Sequence, residues 1–309
     1  MIFNPLDYPI IFNEPERLTR IASWQEHIPF AMFLTACLKP QLLVELGAMY
    51  GDSYCAFCQT VKLLSLDTHC FAVDTWLGDE HAGFSFTEAL SDLRAHHDVR
   101  YGDFSTLVQS TFDEALPKFA DRSIDLLHID GFHTYEAVRH DFETWQPKVK
   151  AGGIVLFHDT NVLERGFGVR RFWDELRIHH PHFEFLHGHG LGVLSLGENS
   201  TPELQTLFSA SQAETEAVRT LFHRLGNRVA LTRPGHPTAV VYDQAVQRAV
   251  HAERTTEVLR AAQQTLQAEL LATQAESRAI HTELLTLVNS RAWRVVNKLW
   301  RLRAALAGK

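Results

Sequence analysis

The segment "HIDGFHTYEAVRHDFETW", residues 128–145, places two aspartates, three histidines and two glutamates directly after the apolar stretch "SIDLL". Such a stretch predicts a buried strand, and open α/β sheets carry their ligands at strand ends. Asp130 closes this strand, and His133, with an ordinary pKa of about 6.5, can take a proton at neutral pH. The alternative is that Asp130 caps the next helix and His133 lies in its first turn.

A glycine-rich turn follows an earlier apolar stretch, in "VELGAMYGDS". Gly47 and Gly51 let the backbone turn tightly and approach a ligand, and Glu45 places a carboxylate before the turn. The spacing differs from the G-x-G-x-x-G pattern of a pyrophosphate site. In "AVDTW", Asp74 stands where an acid can accept hydrogen bonds from a ribose diol, although it could instead cap a helix. Together these features indicate an adenosyl ligand without phosphates.

The candidate site residues can meet only if the strands that precede them end side by side in one sheet. Apolar stretches alternate with amphipathic segments between about residues 42 and 197: "LLVELG", "CFAVDTW", "VRYGD", "IDLLHIDG", "GGIVLFHD", "FEFLHG" and "LGVLSLG". This alternation predicts a parallel sheet with helices on both faces. The segment "HGHGLG" is too short for a helical crossover, so the last two strands should form an antiparallel hairpin. The predicted fold class is α/β, a Rossmann-like doubly wound sheet of seven strands with a C-terminal helical coiled-coil tail.

The chain divides into three predicted parts. Residues 1–200 hold the sheet and an N-terminal helix, "SWQEHIPFAMFLTACLK", which Ser23 opens and which stops before Pro40. Residues 201–240 are predicted to be a linker of helix and loop, and residues 241–309 a coiled coil that ends in a basic amphipathic helix. The heptad-like positions of this coiled coil are Leu266, Leu270, Thr273, Ser277, Ile280, Leu284 and Leu287.

Composition narrows the class of protein. The 309 residues are 45% hydrophobic and carry a net charge of -8, which suits a globular protein and argues against a whole-surface nucleic-acid binder. The N-terminus does not resemble a signal peptide and no stretch reaches transmembrane length, so we expect a cytoplasmic protein. The cysteine pair in "YCAFCQ" has the spacing of a redox or half-zinc site, but no second pair completes one, which favours reduced core cysteines.

From residue 23 to residue 200 the sequence resembles the class I S-adenosylmethionine-dependent methyltransferases, and more narrowly a bacterial group found among or fused to glycosyltransferases. The motifs that carry the resemblance include "VELGAMYGDSYCAFCQ", "FAVDTWLGDEHAGF", "IDLLHIDGFHTYEAVRHDFETWQPK", "GIVLFHDTNV" and "FEFLHGHGLGVL". It implies S-adenosyl-L-methionine as the cofactor. The implied cofactor-binding residues are Glu45, Gly47, Gly51, Ser53, Asp74 and Asp130, with Gly102, Asp103 and Phe104 at the adenine edge after the third strand.

The same resemblance implies a divalent metal. In this topology the fourth and fifth strands lie about 4.8 Å apart, so Asp130 ends beside His158 and Asp159, and two close carboxylates need a proton or a cation between them. Similar sugar and natural-product O-methyltransferases bind a metal through an Asp-x-x-His segment, which Asp130 to His133 matches, and through an acidic pair. His158-Asp159 departs from that pair. Magnesium and manganese both stay open, although a nitrogen ligand favours manganese, iron or zinc.

Two further stretches have two interpretations each. Residues 75–84, "TWLGDEHAGF", could form a lid over cofactor and acceptor or an ordinary surface loop. His187 and His189 could line the acceptor pocket or belong to a hairpin turn.

The C-terminal segment 290–309 carries cationic residues without acids, interleaved with apolar ones: Arg291, Trp293, Arg294, Val296, Lys298, Leu299, Trp300, Arg301, Arg303 and Lys309. This predicts an interfacial helix at the inner membrane face; the alternative is a basic helix docked on a protein. It also resembles a Ser-x-x-Trp-Arg segment that follows coiled coils in polysaccharide-assembly proteins.

The function expected from these observations is metal-assisted O-methylation, with His133 as general base, of a hydroxyl on a glycan or lipid-linked sugar. The metal ligands would be Asp130, His158 and Asp159. We expect a homo-oligomer held by the coiled coil, with glycosyltransferases as further partners. A non-catalytic cofactor-binding scaffold and a secondary-metabolite O-methyltransferase are the alternatives.

Overall fold

The computed structural model describes residues 4–78, 87–164, 166–199 and 201–236, and in the C-terminal part 255–256, 259–276, 278–279, 282–283, 285–286, 294 and 298–299. The chain divides into two compact units, Met1–Val240 and Val241–Lys309.

The first unit is built on one seven-stranded sheet, as the sequence predicts. Its strands are β1 (Leu42–Leu46), β2 (His69–Asp74), β3 (Ser105–Gln109), β4 (Ile124–Ile129), β5 (Val149–His158), β6 (His182–Phe185) and β7 (Leu191–Ser195). They lie in the order β3-β2-β1-β4-β5-β7-β6. The first five are parallel, and β7 is antiparallel to both β5 and β6, which confirms the predicted hairpin. The carboxyl ends of β1 to β5 therefore meet at one edge of the sheet.

Eight helices cover this sheet in the part of the chain that the structure describes: α1 (Ile28–Leu38), α2 (Asp52–Leu63), α3 (Thr87–Tyr101), α4 (Phe112–Ala115), α5 (Tyr135–Trp145), α6 (Val169–Leu176), α7 (Pro202–Phe208) and α8 (Gln212–Thr232). Helices α1, α2, α3, α7 and α8 contribute to one buried apolar cluster. Helices α4, α5 and α6 contribute to a second, separate cluster. The sheet is thus covered on both faces, which explains why its strands are almost continuously apolar.

The third strand lies later in the chain than the sequence analysis predicts. "VRYGD" was expected to be a strand, but Val99–Tyr101 end α3, whose residues Ala89, Leu93, His97 and Tyr101 repeat at a spacing of four and are all buried. Gly102, Asp103 and Phe104 therefore precede β3 and lie at its amino end, opposite the edge where β1 to β5 finish. This position does not support their predicted role at the adenine edge.

The N-terminal helix also starts later than predicted. A 3-10 helix spans Gln25–His27 and α1 begins at Ile28, so Ser23 caps neither element. The predicted stop before Pro40 is confirmed, because α1 ends at Leu38 and Lys39 adopts a left-handed backbone with φ of 47°. All four cysteines are free thiols, as expected for core cysteines.

The segment predicted to be a linker contributes to the core of the first unit. Leu204 and Leu207 of α7 and Phe222 and Val229 of α8 are buried in the same apolar cluster as α1. Gly226 of α8 approaches Glu26 so closely that an added Cβ would lie 1.9 Å from the Glu26 carbonyl oxygen. Helix α8 therefore packs tightly against the 3-10 helix that precedes α1.

The second unit is helical over residues 259–276, and every residue of that stretch is exposed. Leu259, Leu266 and Leu270 lie along it with more than half of each side chain exposed. The heptad positions Ser277, Ile280, Leu284 and Leu287, most of the basic segment 290–309, and residues 79–84 of the predicted lid lie outside the described residues. Among the described helices none is long and apolar enough to span a membrane.

Candidate functional site

A cleft of about 880 Å³ opens at the carboxyl edge of the sheet. Its walls come from residues that follow β1, β2, β3, β4 and β5, and from Ile21, Ser23 and Trp24 of the N-terminal segment. Of the predicted site residues, the cleft is lined by Gly47, Gly51, Ser53, Asp74, Asp130, His133, His158 and Asp159. Glu45, Gly102, Asp103 and Phe104 do not line it.

The turn after β1 forms one wall of the cleft, and it requires glycine at two positions. Gly47 has φ of 88°, and a Cβ there would lie 2.0 Å from the carbonyl oxygen of Asp130. Gly51 has φ of 80°, and a Cβ there would lie 2.5 Å from Leu93. The turn is therefore held against the end of β4 by a close backbone approach that a side chain would prevent.

Glu45 lies beneath this turn and has no exposed surface. Its Oε1 accepts a hydrogen bond from Ser53 Oγ at 2.7 Å, and its Oε2 lies 3.1 Å from His128 Nδ1. Trp24 Nε1 donates to His128 Nε2 at 3.2 Å, so the proton of His128 is on Nδ1 and faces Glu45. Burial raises the pKa of Glu45, and the nearby His128 offsets part of that effect. Glu45 thus supports the turn from the core rather than from the cleft.

Asp74 ends β2 and fixes the same turn from the other side. Its Oδ2 accepts hydrogen bonds from the backbone amides of Ala48 and Met49, both at 2.9 Å, and its Oδ1 accepts one from the amide of Trp76 at 2.7 Å. A carboxylate has about four lone-pair positions, so Oδ1 keeps one for a ligand in the cleft.

A cluster of acids and histidines lies where β4 and β5 end. Ile129 pairs with Phe157, so Asp130 and Asp159 follow two adjacent strands, as predicted. Thr134 caps α5 through its side chain, which accepts from the amide of Ala137 at 3.2 Å. Because Thr134 fills that position, Asp130 is free of the capping role, and its carboxylate faces the cluster instead.

His158 lies between the two acids as a buried cation. Its Nε2 is 3.1 Å from the Gly188 carbonyl oxygen, which can only accept, so Nε2 carries a proton. Its Nδ1 is 3.2 Å from Asp130 Oδ1 and 3.5 Å from Asp159 Oδ2. Burial lowers the pKa of His158, but Asp159 and Asp130 outweigh burial and raise it well above the ordinary value. An imidazolium has no lone pair for a metal, so this geometry does not support His158 as a ligand.

His133 contacts the same cluster from the cleft side. Its Nε2 lies 2.9 Å from Asp159 Oδ2, and its ring stacks on Phe167 with centroids 4.3 Å apart. Burial lowers the pKa of His133, whereas the hydrogen bond to Asp159 and the charge of Asp130 raise it, and the net shift is upward. His189 Nδ1 is 3.4 Å from Asp159 Oδ1, which brings the predicted pocket residue His189 to the cluster. His187 instead packs between His27 and His223, away from the cleft lining.

Asp159 is the centre of this cluster. It is buried, and its backbone is left-handed with φ of 61°, a strained conformation for a residue with a side chain. Burial raises the pKa of Asp159, but His158 and the hydrogen bond from His133 hold it well below the ordinary value. Its Oδ1 is buried and has no hydrogen bond of good geometry within the described ranges, and His189 Nδ1 contacts it only at 3.4 Å. An oxygen of this kind suits a cation or a ligand donor.

Asp130, His133 and Asp159 could together hold a metal ion. One ligand atom from each lies within 4.8 Å of the other two. Two carboxylate oxygens and one imidazole nitrogen form a donor set that suits manganese, iron or zinc, and less readily magnesium. Asp159 Oδ1, which has no hydrogen bond of good geometry, could bind such an ion, so the three side chains fit a divalent cation.

Several residues of the site were not identified from the sequence. Trp24 and His128 meet across 104 positions of the chain, and no local pattern reveals such a contact. Thr111 and Phe112, which follow β3, line the cleft where Gly102 to Phe104 were expected. The correct end of β3 would have pointed to them, because ligands lie at the carboxyl ends of strands.

A family model and two further proteins match parts of this chain. Residues 44–160 match the family model described as "Methyltransferase domain". Over 203 residues the chain is 47% identical to "Uncharacterized protein y4gI" of Sinorhizobium fredii (strain NBRC 101917 / NGR234). This match covers 66% of this chain and 22% of that protein. Over 122 residues it is 29% identical to "Uncharacterized protein R132" of Acanthamoeba polyphaga mimivirus, covering 38% of this chain and 50% of the other. The chain thus spans half or less of the length of these relatives.

Solved structures with a general likeness include two methyltransferases. The O-methyltransferase TomG of Streptomyces achromogenes matches with a TM-score of 0.42 and 15% identity, over 59% of this chain and 83% of that one. The methyltransferase PaMTH1 of Podospora anserina matches with a TM-score of 0.43 and 14% identity, over 54% of this chain and 76% of that one. Both scores lie below 0.5, and nothing about the acceptor of this chain follows from them.

Proposed function

We propose that this chain, which contains a class I S-adenosylmethionine-dependent methyltransferase domain, transfers a methyl group to a hydroxyl oxygen of a glycan or lipid-linked sugar. The observation that carries the proposal is the cluster of Asp130, His133 and Asp159, in the same cleft as the glycine turn and Asp74. A hydroxyl becomes a sufficient nucleophile only if its proton is removed as the new bond forms, and this cluster is built to hold and move a proton.

The cofactor half of the cleft fits the adenosyl ligand that the sequence predicts. Gly47 and Gly51 leave the turn without side chains where the methionine part would pass, and Asp74 keeps one lone pair of Oδ1 for a ribose hydroxyl. No phosphate-binding pattern is needed, because the ligand has none. The methyl group would then point toward the ends of β4 and β5.

The catalytic half handles the acceptor proton. His133 Nε2 faces Asp159 Oδ2, a carboxylate oxygen that can only accept, so in the free protein Nε2 carries a proton, and the buried Nδ1 has no hydrogen-bond partner among the described residues. His133 can act as a base at Nε2 only in the neutral form that keeps its proton on Nδ1. A hydroxyl that approaches Asp159 from the cleft meets Nε2 as well, and a neutral His133 accepts its proton. Asp159 fixes the direction of the ring, and Phe167 holds its plane. Because the pKa of His133 is raised, the rate of transfer should increase with pH above about 6.5.

A divalent cation belongs to the same proposal. Asp130, His133 and Asp159 would hold it, with His133 then a ligand rather than a base. When bound, such an ion supplies Lewis-acid polarisation of the acceptor oxygen, which makes its proton easier to remove. Two carboxylates and a protonated His158 leave one net negative charge to attract the ion.

The surface beside the catalytic half supports an amphiphilic acceptor. A shallow groove of about 580 Å³ shares Val162 and Phe167 with the cleft and continues past Leu163 and Ile178, whose side chains are mostly exposed. Its cations are paired within the protein: Arg170 contacts Asp174 at 2.9 Å and Arg171 contacts Glu175 at 3.2 Å. A groove with exposed apolar side chains, whose described charged residues pair with one another, suits the hydrocarbon part of a molecule whose hydroxyl enters the cleft.

Transfer of a labelled methyl group tests the proposal. We expect purified protein with methyl-labelled S-adenosylmethionine and a divalent cation to methylate n-octyl glycosides faster than the matching methyl glycosides. The variant Asp159→Asn should lose activity, whereas Asp67→Asn, an exposed carboxylate before β2, should keep it. Cofactor binding without transfer to any hydroxyl acceptor would favour the non-catalytic scaffold. Transfer to small aromatic hydroxyls but to no sugar would favour secondary metabolism.

The C-terminal unit is proposed to join two or more copies of the chain. Leu259, Leu266 and Leu270 recur along an exposed helix at spacings of seven and four, which leaves an apolar stripe that a lone helix cannot bury. We expect Leu266→Ser with Leu270→Ser to convert an oligomer into a monomer in light scattering, with Leu271→Ser as the control outside the stripe. A monomeric full-length chain would contradict this assembly. Membrane contact through residues 290–309 is proposed from the sequence, and vesicle sedimentation tests it.

A further inference from the structure

His189 lies on the turn between β6 and β7 and lines the cleft beside the cluster of Asp130, His133 and Asp159. Its Nδ1 is 3.4 Å from Asp159 Oδ1, and about half of its side chain is exposed (52%). An ionised carboxylate oxygen can only accept, so this contact favours a proton on Nδ1. The other ring nitrogen, Nε2, then keeps its lone pair, and no hydrogen bond engages it within the described ranges.

The backbone of this turn holds the imidazole beside the cluster in an uncommon conformation. His189 has φ of 68°, and its neighbours Gly188 and Gly190 also have positive φ. Such a backbone costs free energy for a residue with a side chain, and glycine is the usual choice. The amide of Asn161 donates to the His189 carbonyl oxygen at 2.8 Å, which ties the turn to the residues that follow β5. A histidine at this position is therefore a candidate for a functional side chain.

The other histidines of the described cleft wall are already engaged. His158 is a buried cation and has no lone pair to offer. His133 Nε2 faces Asp159 Oδ2 at 2.9 Å, and its Nδ1 is buried. His140 pairs with a carboxylate of α4 at 2.9 Å, outside the cluster. Among the described residues of the cluster, His189 is thus the histidine whose lone pair is open to the cleft.

We propose that His189 is a second proton acceptor of the site, which takes the proton of the acceptor hydroxyl at Nε2. This inference rests on the proposed function. The hydroxyl oxygen bonds to the methyl carbon, the carbon–sulfur bond breaks with its electron pair on sulfur, and the hydroxyl proton moves to Nε2. The imidazolium then passes that proton to water, because half of the side chain is exposed. His189 acts whenever His133 Nε2 is occupied, either by its own proton toward Asp159 or as a ligand of a cation.

Chemical rescue of a glycine variant tests the inference. Glycine fits φ of 68°, so His189→Gly should keep the melting temperature of the wild type and its affinity for S-adenosylhomocysteine. We expect its kcat with an n-octyl glycoside to fall about tenfold or more, and added imidazole to restore much of it from the space that the side chain leaves. His189→Asn tolerates the same backbone and can still donate to Asp159, but it should be as slow as His189→Gly. The exposed His179→Ala, outside the described cleft wall, is the control and should keep the kcat of the wild type.

These measurements separate a base from a structural residue and from a metal ligand. A normal kcat in either His189 variant, or a loss in His189→Gly that imidazole does not restore, would overturn the role of His189 alone. Weaker binding of manganese by His189→Gly than by the wild type would identify His189 as a ligand and would likewise overturn its role as base. A wild type that transfers no methyl group to any hydroxyl would overturn the proposed function, and this inference with it.

Discussion

Replacement of Asp141 by asparagine should stabilise the free protein at neutral pH. Burial raises the pKa of this carboxyl group from 3.8 to about 7. Because the folded-state pKa is the higher one, the unfolded chain loses its proton first, and ionisation makes folding less favourable from about pH 4 to about pH 7. A shift of about three pH units, at about 1.36 kcal/mol each, corresponds to about 4 kcal/mol. Asparagine cannot ionise, so the free energy of unfolding of the variant should not fall in this way as the pH rises.

Urea unfolding of the two proteins from about pH 4.5 to about pH 8 measures the effect. The free energy of unfolding of Asp141→Asn should exceed that of the wild type by an amount that grows with pH and levels off above about pH 7. His140 and Asp113 are present in both proteins and contribute little to the difference. The exposed Asp67→Asn is the control and should follow the wild type throughout. A constant separation between the curves of wild type and Asp141→Asn would refute the reasoning.

Three further predictions concern the walls of the cleft. Asp74→Ala removes three hydrogen bonds from backbone amides, so it should lower the free energy of unfolding by about 3 kcal/mol and weaken the binding of S-adenosylhomocysteine at least tenfold. An unchanged melting temperature and an unchanged affinity in calorimetry would contradict this. His133→Ala should lower kcat about a hundredfold or more and abolish its rise with pH while cofactor binding survives, and an unchanged kcat–pH profile would exclude His133 as base and ligand alike. Chelation of divalent cations should abolish the activity of the wild type, and added manganese should restore it. Full turnover in excess chelator would show that methyl transfer needs no metal.

Strand ends were the part of the fold that sequence could predict best. Parallel strands buried on both faces are continuous apolar stretches, so β1, β2, β4 and β5 stand out, and the residues that follow them line the cleft. The local β preference of Val99 and Tyr101 predicts a strand where the structure has the end of α3. Burial of Tyr101 together with Ala89 and Leu93 on one helix face outweighs that preference.

The site itself was only partly predictable. The adjacency of Asp130 and Asp159 follows from strand order, so the sequence could indicate it. The protonation state of His158 could not be predicted from the sequence, because it depends on the carbonyl oxygen of Gly188, which lies in the hairpin turn between β6 and β7. The buried contact of Glu45 with His128 is likewise a property of the folded core, and a carboxylate before a glycine turn gives no sign of whether it faces the ligand or the interior.

The central claim is that this cleft binds S-adenosylmethionine next to a proton-transfer cluster. Calorimetric titration of the purified protein with S-adenosylhomocysteine, and with NAD as the competing dinucleotide, tests it most directly. We predict one site per chain for S-adenosylhomocysteine, with binding that Asp74→Ala weakens, and no measurable binding of NAD. Tighter binding of NAD, or no heat with S-adenosylhomocysteine, would contradict it.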